Sequence, residues 1–572
     1  MTIKLRSLPR FARFFFAVLL GFIVTTPAQA AHRTLSPELN DKLDQLQANP
    51  SQTASTAPVY VIIQFKKATT LANGIQKVTG AGGQNKSRLN VVNGGVFQVP
   101  ASLLATLAED PDVQYISPDR QTIKLSPDDY ILDASNTNSV QQLGYTGNGI
   151  GVAVIDSGVR ASHPDFADNY GVSRVVYSES FIPGLDASDQ FGHGTAVAGL
   201  VAANGNASGQ WMRGIAPKAN IINLRVLDAT GSGTDSAVIS AIQRAIQLKN
   251  TYNIRVINLS LGRRVFESYA LDPLCQAVEQ AWKAGIVVVV AAGNFGRDNT
   301  MNTNGYATIA APGNDPYVLT VGATNTHATD ARSDDTVTSY SSKGPTLLDH
   351  VIKPDLVAPG NRVVTPLATG STLDNSFPGN RVSPSEYGSR SCTYYYSFMS
   401  GTSMAAPIVS GSVALMLEYI PSLTPDQVKS RMMKTADKLY PSYSTAVSSN
   451  GSFYNLQYDI FTVGAGYLDT YNAMASNDFS TGSALSPIAF RDSNGNILVQ
   501  VDPSSVWANS IVWSDSIVWG NGVLLSGTSI VWGDSIVWGD GNTQGYSIVW
   551  GSSIVWGSAT VTFSDAGDYD QN

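Results

Sequence analysis

The sequence predicts an α/β fold, a doubly wound and mostly parallel sheet with helices on both faces, between about residues 126 and 476 of 572. The first observation is a set of short Val- and Ile-rich runs, typical of strands buried on both faces of a parallel sheet. They lie at residues 150–155, 221–227, 256–261 and 286–291. The second is that helical periodicity alternates with them, at residues 236–248, 272–284 and 403–419. This order predicts an active site beyond the carboxyl ends of the strands.

The first 30 residues are typical of a secretory signal peptide. A basic segment at residues 4–13 precedes an apolar run at 14–24, and Ala28-Gln29-Ala30 is a small-x-small cleavage site. The apolar run is short for a bilayer span, so an uncleaved anchor is the weaker alternative. We therefore expect a secreted, extracellular protein. No later stretch is long and apolar enough to predict a transmembrane segment.

Charge and cysteine content limit the possible partners. The formal net charge is -8, and it becomes -12 once the four basic residues of the signal peptide are removed. An acidic protein lacks the clustered Lys and Arg that nucleic acid or an anionic membrane requires, so neither is expected as a partner. The two cysteines, Cys275 and Cys392, form one disulfide in an oxidising compartment or remain two separate thiols, and both alternatives stay open.

Two further segments flank the predicted sheet. Residues 59–123 predict a small α+β unit, with strands at 59–65, 96–100 and 113–116 and a helix at 101–109. After about residue 477 the chain has no Lys, and Ser-Ile-Val-Trp recurs with a period of six within pairs. The repeats end at Trp513, Trp519, Trp532, Trp538, Trp550 and Trp556. Four β-favouring residues followed by a turn signal predict a stack of short strands.

Three distant segments supply an acid, a base and a nucleophile. Asp156 ends a buried apolar run, His193 stands in Gly-His-Gly-Thr, and Ser403 stands in Gly-Thr-Ser-Met-Ala-Ala-Pro. A serine hydroxyl is a poor nucleophile unless an imidazole takes its proton and a carboxylate orients that imidazole. Singly, each residue has a structural alternative as a turn Asp, a structural His or an N-cap Ser. Together they predict a catalytic triad.

These segments resemble the subtilisin-like serine proteases, over about residues 59–475. The resemblance implies that Asn294, in Ala-Ala-Gly-Asn, donates its amide to the oxyanion hole. It also implies that two segments form the walls of a cleft for extended peptide. The walls are Gly231-Ser232-Gly233 and Ser260-Leu261-Gly262. Asp235 departs from the family pattern, in which this position is often larger and aromatic, so the distant subsite is unassigned.

The resemblance further implies a metal site and a maturation route. Asp165, in Ser-His-Pro-Asp, matches a calcium ligand of many relatives, so a structural Ca²⁺ is possible although the chemistry requires no cofactor. An ordinary polar turn is the alternative. The α+β unit resembles the family's inhibitory prodomain, which blocks the active site of the precursor until it is cut away. An unrelated small binding domain is the alternative for this unit.

We therefore divide the chain into a signal peptide (1–30), a propeptide (31–125), a peptidase domain (126–476) and a Trp-rich hexapeptide-repeat extension (477–572). The predicted function is a secreted serine endopeptidase, a hydrolase of protein or peptide substrates made as a zymogen that cuts itself between about residues 117 and 126. Its prodomain would be an intramolecular inhibitor. The rival is an extracellular structural or adhesive protein whose Trp-rich repeats are the working part, through binding to a surface or to one another, and whose protease domain serves maturation only. A serine hydrolase of other substrates is a weaker third interpretation.

Overall fold

The computed structural model describes residues 34–36, 39–40, 42–43, 58–119, 130–168, 170–389, 392–438, 440, 443–491, 497–500, 502, 504–507, 560–562 and 569–570. The chain forms two compact units, Met1–Thr122 and Ile123–Asn572. The predicted signal peptide, most of the predicted processing region and all six Ser-Ile-Val-Trp repeats lie outside the described residues.

The first unit is an α+β domain with a four-stranded antiparallel sheet, ordered β2-β3-β1-β4. Its strands are β1 (Pro58–Phe65), β2 (Gln84–Leu89), β3 (Gly94–Pro100) and β4 (Val113–Pro118), and its helices are α1 (Leu71–Gly80) and α2 (Leu103–Ala108). Alternate residues of β1 are buried, because successive side chains of a strand point to opposite faces. The predicted strands and the α2 helix are confirmed. The polar strand β2, which forms one edge of the sheet, was not predicted.

The second unit is built on an eight-stranded sheet in the order β13-β12-β11-β9-β5-β7-β6, with β14 paired to β12. Every pairing is parallel except that of β13. The strands are β5 (Gly151–Asp156), β6 (Val175–Ser180), β7 (Asn220–Arg225), β9 (Ile254–Leu259), β11 (Val287–Ala291), β12 (Leu319–Asn325), β13 (Thr336–Val337) and β14 (Leu356–Pro359). The predicted doubly wound, mostly parallel α/β fold is thereby confirmed.

Nine described helices belong to this unit. They are α3 (Tyr130–Ala134), α4 (Asn138–Gln142), α5 (His193–Ala202), α6 (Asp235–Leu248), α7 (Pro273–Lys283), α8 (Thr372–Ser376), α9 (Thr402–Tyr419), α10 (Pro425–Thr435) and α11 (Thr470–Ala475). Helix α5 is buried all round and packs against α9, which explains its apolar sequence. Helices α6 and α7 are amphipathic, and the side chains of Thr234 and Asp272 cap their N-termini.

Four smaller sheets complete the unit. Three are antiparallel pairs: β15 (Val363–Pro366) with β16 (Tyr396–Met399), β17 (Tyr443–Val447) with β18 (Phe453–Gln457), and β19 (Ile488–Arg491) with β20 (Ile497–Gln500). The fourth has three strands, β10 (Leu261–Gly262), β21 (Thr560–Thr562) and β8 (Ser232–Gly233), in that order. Strand β21 comes from the far C-terminal region and lies between two segments predicted to form the cleft.

The hydrophobic core of this unit continues beyond residue 476. Trp507, the first tryptophan of the Trp-rich region, is 2% exposed and donates its indole N–H to the Leu485 carbonyl at 2.8 Å. Ala484, Ala489 and Val499 belong to the same core as the central strands. The residues up to Trp507 are therefore packed on the sheet domain.

Among the described residues, no helix combines the length and the hydropathy needed to cross a membrane.

Candidate active site

The predicted site residues meet at one edge of the central sheet. Strands β11, β9 and β5 are neighbours and parallel, so their carboxyl ends lie side by side. Asp156 is the last residue of β5, Ser260 follows β9, and Asn294 comes three residues after β11. Because neighbouring strands are about 4.8 Å apart, these residues form a row a few strand widths long. This is the edge that the βαβ pattern predicted.

The acid and the base of the predicted triad are in direct contact. Asp156 Oδ1 lies 2.8 Å from His193 Nδ1 and also accepts the Ser157 backbone N–H at 2.7 Å. Both side chains are buried, with His193 0% and Asp156 1% exposed. His193 Nε2 is buried as well and makes no hydrogen bond to any residue that the structure describes. The carboxylate therefore fixes the ring through Nδ1, and Nε2 is left to act on a further group.

The predicted nucleophile is held at the end of the next strand. Ser403 is the second residue of α9, and its Oγ donates to the Ser260 carbonyl at 3.0 Å. The Ser260 hydroxyl also donates a hydrogen bond to the Ser403 carbonyl, at 2.8 Å. This pair fixes the start of α9 on the carboxyl end of β9. The Ser403 hydroxyl is therefore bonded to the wall of the cleft and not to His193.

The amide of Asn294 is oriented by the residue before the serine. Its Oδ1 accepts the backbone N–H and the hydroxyl of Thr402, both at 3.0 Å. The Thr402 hydroxyl in turn accepts the Gly293 N–H at 3.1 Å. Since Oδ1 and Nδ2 are the two arms of one planar amide, holding Oδ1 on Thr402 turns Nδ2 to the opposite side. Thr402 is not among the site residues predicted from the sequence.

A second residue that was not predicted from the sequence, Asp189, binds the backbone on both sides of His193. Asp189 is a buried carboxylate that accepts the N–H of Gly192 at 2.7 Å and both the N–H and the hydroxyl of Thr195, at 2.8 and 2.6 Å. It also accepts the Ser157 hydroxyl at 2.8 Å. Burial raises the pKa of Asp189, and these four donors oppose that effect. Its position in Asp-x-x-Gly-His is the signal that would have identified it.

The glycines around the base are required by close packing. A Cβ on Gly194 would lie 2.1 Å from the Gly158 carbonyl oxygen, which is far inside van der Waals contact. Gly194 also donates its N–H to the Ser157 hydroxyl at 2.9 Å. The Gly-His-Gly frame thus lets the loop after β5 approach the start of α5, which brings Asp156 and His193 together.

The two segments predicted as cleft walls form short strands. Ser232 and Gly233 form β8, and Leu261 and Gly262 form β10, with Gly231 and Ser260 directly preceding them. Beyond the walls, Arg263 Nε lies 2.8 Å from Asp235 and its Nη2 lies 2.9 Å from Asp272. Burial lowers the pKa of Arg263, but Asp272 and Asp235 outweigh it and raise the pKa overall. Asp235 therefore pairs with a cation of the opposite wall.

The residues around Asp165 do not fit a calcium ion. The carboxylate is 0% exposed, and its two oxygens accept the Ala207 N–H at 2.8 Å and the Tyr396 hydroxyl at 2.6 Å. A cation needs oxygen ligands, whereas hydrogen-bond donors surround this carboxylate. Within the described ranges, no three His, Cys, Asp or Glu side chains are grouped so as to hold a metal ion.

The two cysteines are separate thiols. Cys275 is buried and Cys392 is exposed, and no disulfide joins them. The Cys275 thiol donates to Asn314 Oδ1 at 3.3 Å, and burial raises its pKa well above the usual value. Of the two alternatives left open by the sequence, the structure has the unbonded one.

Comparisons with known proteins agree on one family. Residues 147–462 match the model of the subtilase family, Peptidase S8. The chain is 38% identical over 362 residues to Serine protease AprX of Bacillus subtilis (strain 168), which covers 62% of this chain and 76% of that relative. It is 32% identical over 402 residues to Subtilisin E of the same strain, covering 70% and 90% of the two chains. It is 34% identical over 350 residues to Extracellular serine proteinase of Thermus sp. (strain Rt41A), covering 60% and 70%.

Proposed function

The chain belongs to the subtilase family and is a serine endopeptidase, and from this premise we propose which residues carry the reaction and how the precursor matures. The proposed catalytic residues are Ser403 as nucleophile, His193 as general base and acid, Asp156 as its orienting carboxylate, and Asn294 as oxyanion donor. The observation that carries the proposal is the 2.8 Å contact between Asp156 and His193 beside a serine fixed on the neighbouring strand end.

In the first half-reaction, Ser403 Oγ attacks the carbonyl carbon of the substrate while His193 Nε2 takes the hydroxyl proton. The hydroxyl must leave the Ser260 carbonyl for this step, and catalytic hydrogen bonds often tighten only when substrate is bound. His193 then gives the proton to the leaving amine, and the acyl group stays on Ser403. Asp156 holds the imidazolium through Nδ1 and fixes its tautomer.

In the second half-reaction, a water molecule replaces the amine. His193 takes a proton from this water, the hydroxide attacks the acyl carbon, and Ser403 leaves with its proton restored. In both halves the negative oxygen of the tetrahedral intermediate would accept from Asn294 Nδ2 and from the Ser403 N–H at the start of α9. The orientation of Asn294 by Thr402 supports this role, because Oδ1 is already occupied.

The walls support a substrate bound as an extended strand. Strands β8 and β10 present backbone N–H and C=O groups, which pair with peptide of nearly any sequence. The residues proposed to bind it are Gly231, Ser232, Gly233, Ser260, Leu261 and Gly262. Family members need no cofactor for catalysis, and we do not include a calcium ion at Asp165 because protein donors occupy its carboxylate.

We further propose that the enzyme is secreted and made as an inactive precursor. The first 30 residues would be removed as a signal peptide, and residues 31–125 as a propeptide that inhibits the peptidase until it is cut. One relative, Extracellular serine proteinase, supports this location by its name. The packing of Trp507 supports a peptidase domain that extends beyond residue 476, to Trp507.

The nucleophile can be tested directly. Ser403→Ala should abolish hydrolysis of a peptide substrate and leave the propeptide attached, because self-processing would use the same hydroxyl. Sizing the secreted protein on a gel and by mass spectrometry checks both effects. Ser410→Ala is the control, because Ser410 lies on the same helix α9 and its hydroxyl bonds Asn258. A fully matured and active Ser403→Ala protein would contradict the proposal.

A further inference from the structure

The cleft contains a segment of the chain itself. Strand β21 lies between the two walls and is antiparallel to both. Val561 is opposite Ser232 on one side and opposite Gly262 on the other. Thr560 pairs with Gly233, and Thr562 pairs with Leu261. The walls are therefore bridged by a strand in the position that an extended peptide would take.

The direction of this strand is that of a substrate. Its first residue, Thr560, lies at Gly233, and its last residue, Thr562, lies at Leu261. Leu261 directly follows Ser260, whose carbonyl accepts the Ser403 hydroxyl. The chain thus runs with its carboxyl end toward the nucleophile. In serine proteases the residues before the scissile bond must approach in this sense, because the carbonyl carbon that is attacked belongs to the last of them.

Asp570, nine residues after Val561, is held at a separate, buried position. Asp570 is 1% exposed, and its Oδ1 lies 2.9 Å from Arg297 Nη2 and accepts the Ser339 hydroxyl at 2.6 Å. Its Oδ2 accepts the Ser339 N–H at 2.6 Å. Both oxygens of the carboxylate are therefore satisfied, one of them by a cation. Charge-assisted hydrogen bonds of this kind are the strong ones, and the carboxylate gives the contact its selectivity.

The backbone around Asp570 is recognised as well. Asn361 Nδ2 donates to the Asp570 carbonyl at 2.9 Å, and Asn361 Oδ1 accepts the Asp570 N–H at 3.0 Å. The Ser449 N–H donates to the Tyr569 carbonyl at 2.8 Å. The Arg362 guanidinium lies 4.7 Å from the centre of the Tyr569 ring. We call the set Arg297, Ser339, Asn361, Arg362 and Ser449 the terminal-Asp site.

We propose that the terminal-Asp site is a dedicated binding site for the chain's own Tyr569-Asp570 end, and that docking there holds strand β21 in the cleft as an internal competitor of substrate. The contacts in the cleft and those at the terminal-Asp site have different roles. Backbone pairing in the cleft is tolerant of sequence, whereas the carboxylate site is selective. Linking the two makes the competitor intramolecular, so it acts at a high effective concentration. The proposal rests on the proposed function, because a strand in the cleft has an effect only if the cleft binds substrate.

An internal competitor of this kind changes KM and not kcat. An enzyme whose cleft is open for only part of the time shows a KM raised by the inverse of that open fraction, while kcat at saturation is unchanged. Asp570→Asn removes the charge that Arg297 and Ser339 bind. Val561→Pro removes a backbone N–H from a strand that is paired on both sides. Each variant, in the full chain, should lower the KM for a short chromogenic peptide about tenfold or more at constant kcat.

Two matched controls accompany these variants. Val561→Thr keeps the N–H and the branched Cβ, and Asp565→Asn changes the same charge in the same segment. Both should leave KM at the wild-type value. Active enzyme is counted with an irreversible fluorophosphonate in each preparation, and mass spectrometry confirms that residues 560–572 are present. If Asp565→Asn lowers KM as much as Asp570→Asn does, net charge and not the terminal-Asp site is responsible, and the proposal is overturned.

A second measurement compares two peptides on one and the same protein, so a difference in folding between variants cannot account for its result. A synthetic peptide of residues 560–572, added to the Asp570→Asn chain, should inhibit it competitively, and the same peptide carrying Asp570→Asn should inhibit at least tenfold more weakly. Equal inhibition by the two peptides, or none, would overturn the terminal-Asp site. The proposed function fails in a different way, since no preparation would then hydrolyse peptide or react with the fluorophosphonate. Active preparations with identical KM values would reject only the internal competitor.

Discussion

At the scale of single residues, Thr402 links the proposed oxyanion donor, Asn294, to the proposed nucleophile, Ser403. It is adjacent to Ser403, and its backbone and hydroxyl together hold Asn294 Oδ1. A planar amide with one bond to its oxygen can still pivot about that bond, whereas two donors fix its plane. The turn that presents the serine therefore also orients the amide that would stabilise the oxyanion.

Replacing Asn294 by Ala should lower kcat by about 10²–10³ with little change in KM, a magnitude that was measured on a subtilisin. The reason is that the amide is needed mainly once charge develops on the oxygen, so its loss affects the transition state more than substrate binding. Steady-state kinetics on a peptide substrate measures both constants. An unchanged kcat would remove Asn294 from the oxyanion hole.

Thr402→Val should show the same kind of loss in a milder form, about tenfold in kcat, because one of the two donors that fix Asn294 is removed. Thr402→Ser keeps the hydroxyl and should retain most of the wild-type kcat. If the two variants lose kcat equally, the Thr402 hydroxyl does not position Asn294. The double variant of Thr402→Val with Asn294→Ala should be no slower than Asn294→Ala alone.

At the scale of elements, the buried strands could be predicted from the sequence and the polar ones could not. Strand β5 is buried at all six positions, so its apolar run stands out. Strand β6, Val175–Ser180, contains Ser178, Glu179 and Ser180 and forms the edge of the sheet, where one side of the strand lacks a neighbour. Its sequence is that of a half-exposed edge, which composition does not separate from a loop.

The residues of the candidate site also divide into those that the sequence indicates and those that it does not. Asp156, His193 and Ser403 could be proposed from the sequence because the chemistry requires these residue types in small-residue frames. Asp189 and Thr402 act through hydrogen bonds to backbone groups that are brought together only by the fold. Thr402 carries no periodicity and no unusual composition, so the folded structure was needed to find it, whereas Asp189 has one sequence signal, its position in Asp-x-x-Gly-His.

Asp335, just before β13, should make the stability of the peptidase unit depend on pH. It is 3% exposed, its Oδ2 accepts the Tyr467 hydroxyl at 2.6 Å, and its Oδ1 is buried with no hydrogen-bond partner in the described part of the chain. Burial raises the pKa of Asp335 to about 7, from a usual value of 3.8. Asp335 therefore binds its proton more tightly in the folded state than in the unfolded state. This difference adds to the free energy of unfolding below pH 3.8, and the added stability is lost as the pH rises through about 7.

Asp335→Asn should remove this contribution. Relative to the parent, the variant should gain stability between pH 4 and pH 8, by about 4 kcal/mol at most. Urea unfolding in the Ser403→Ala background, which prevents self-digestion, measures the free energy of unfolding at each pH. The exposed Asp502, whose Oδ1 bonds Ser504, provides a control substitution that should not alter the slope over this range. A difference between variant and parent that is constant with pH would contradict the assignment.

At the scale of the whole molecule, the first unit has a hydrophobic core of its own. Its four strands and two helices enclose their own core, in which the Phe65 and Phe97 rings meet edge to face at 6.3 Å. A separate core of this kind is expected of a propeptide that persists as a domain after it is cut from the enzyme.

Separately expressed residues 31–120 should inhibit the mature enzyme competitively in trans. A unit whose end must reach the active site to be cut also blocks that site while it is bound. Initial rates at several substrate concentrations, with the unit added at increasing concentration, check this. Phe97→Ala is the matched control, because it removes a fully buried ring, should destabilise the unit by about 3–5 kcal/mol and should weaken inhibition. No inhibition at high micromolar concentration would assign the unit another role.

Because strand β21 and Asp570 are held on the peptidase unit, a single cut in the repeat segment would not by itself separate them from it. Trp507 and strand β21 are both held on the peptidase unit, so the chain is anchored on either side of the repeats. The cost of closing a chain between two anchors rises by only about 0.6 kcal/mol for each doubling of its length, so gain or loss of repeats should change this cost little. A single nick converts the chain into a two-chain complex. From then on its persistence depends on concentration, so dilution alone would release the terminal segment and open the cleft.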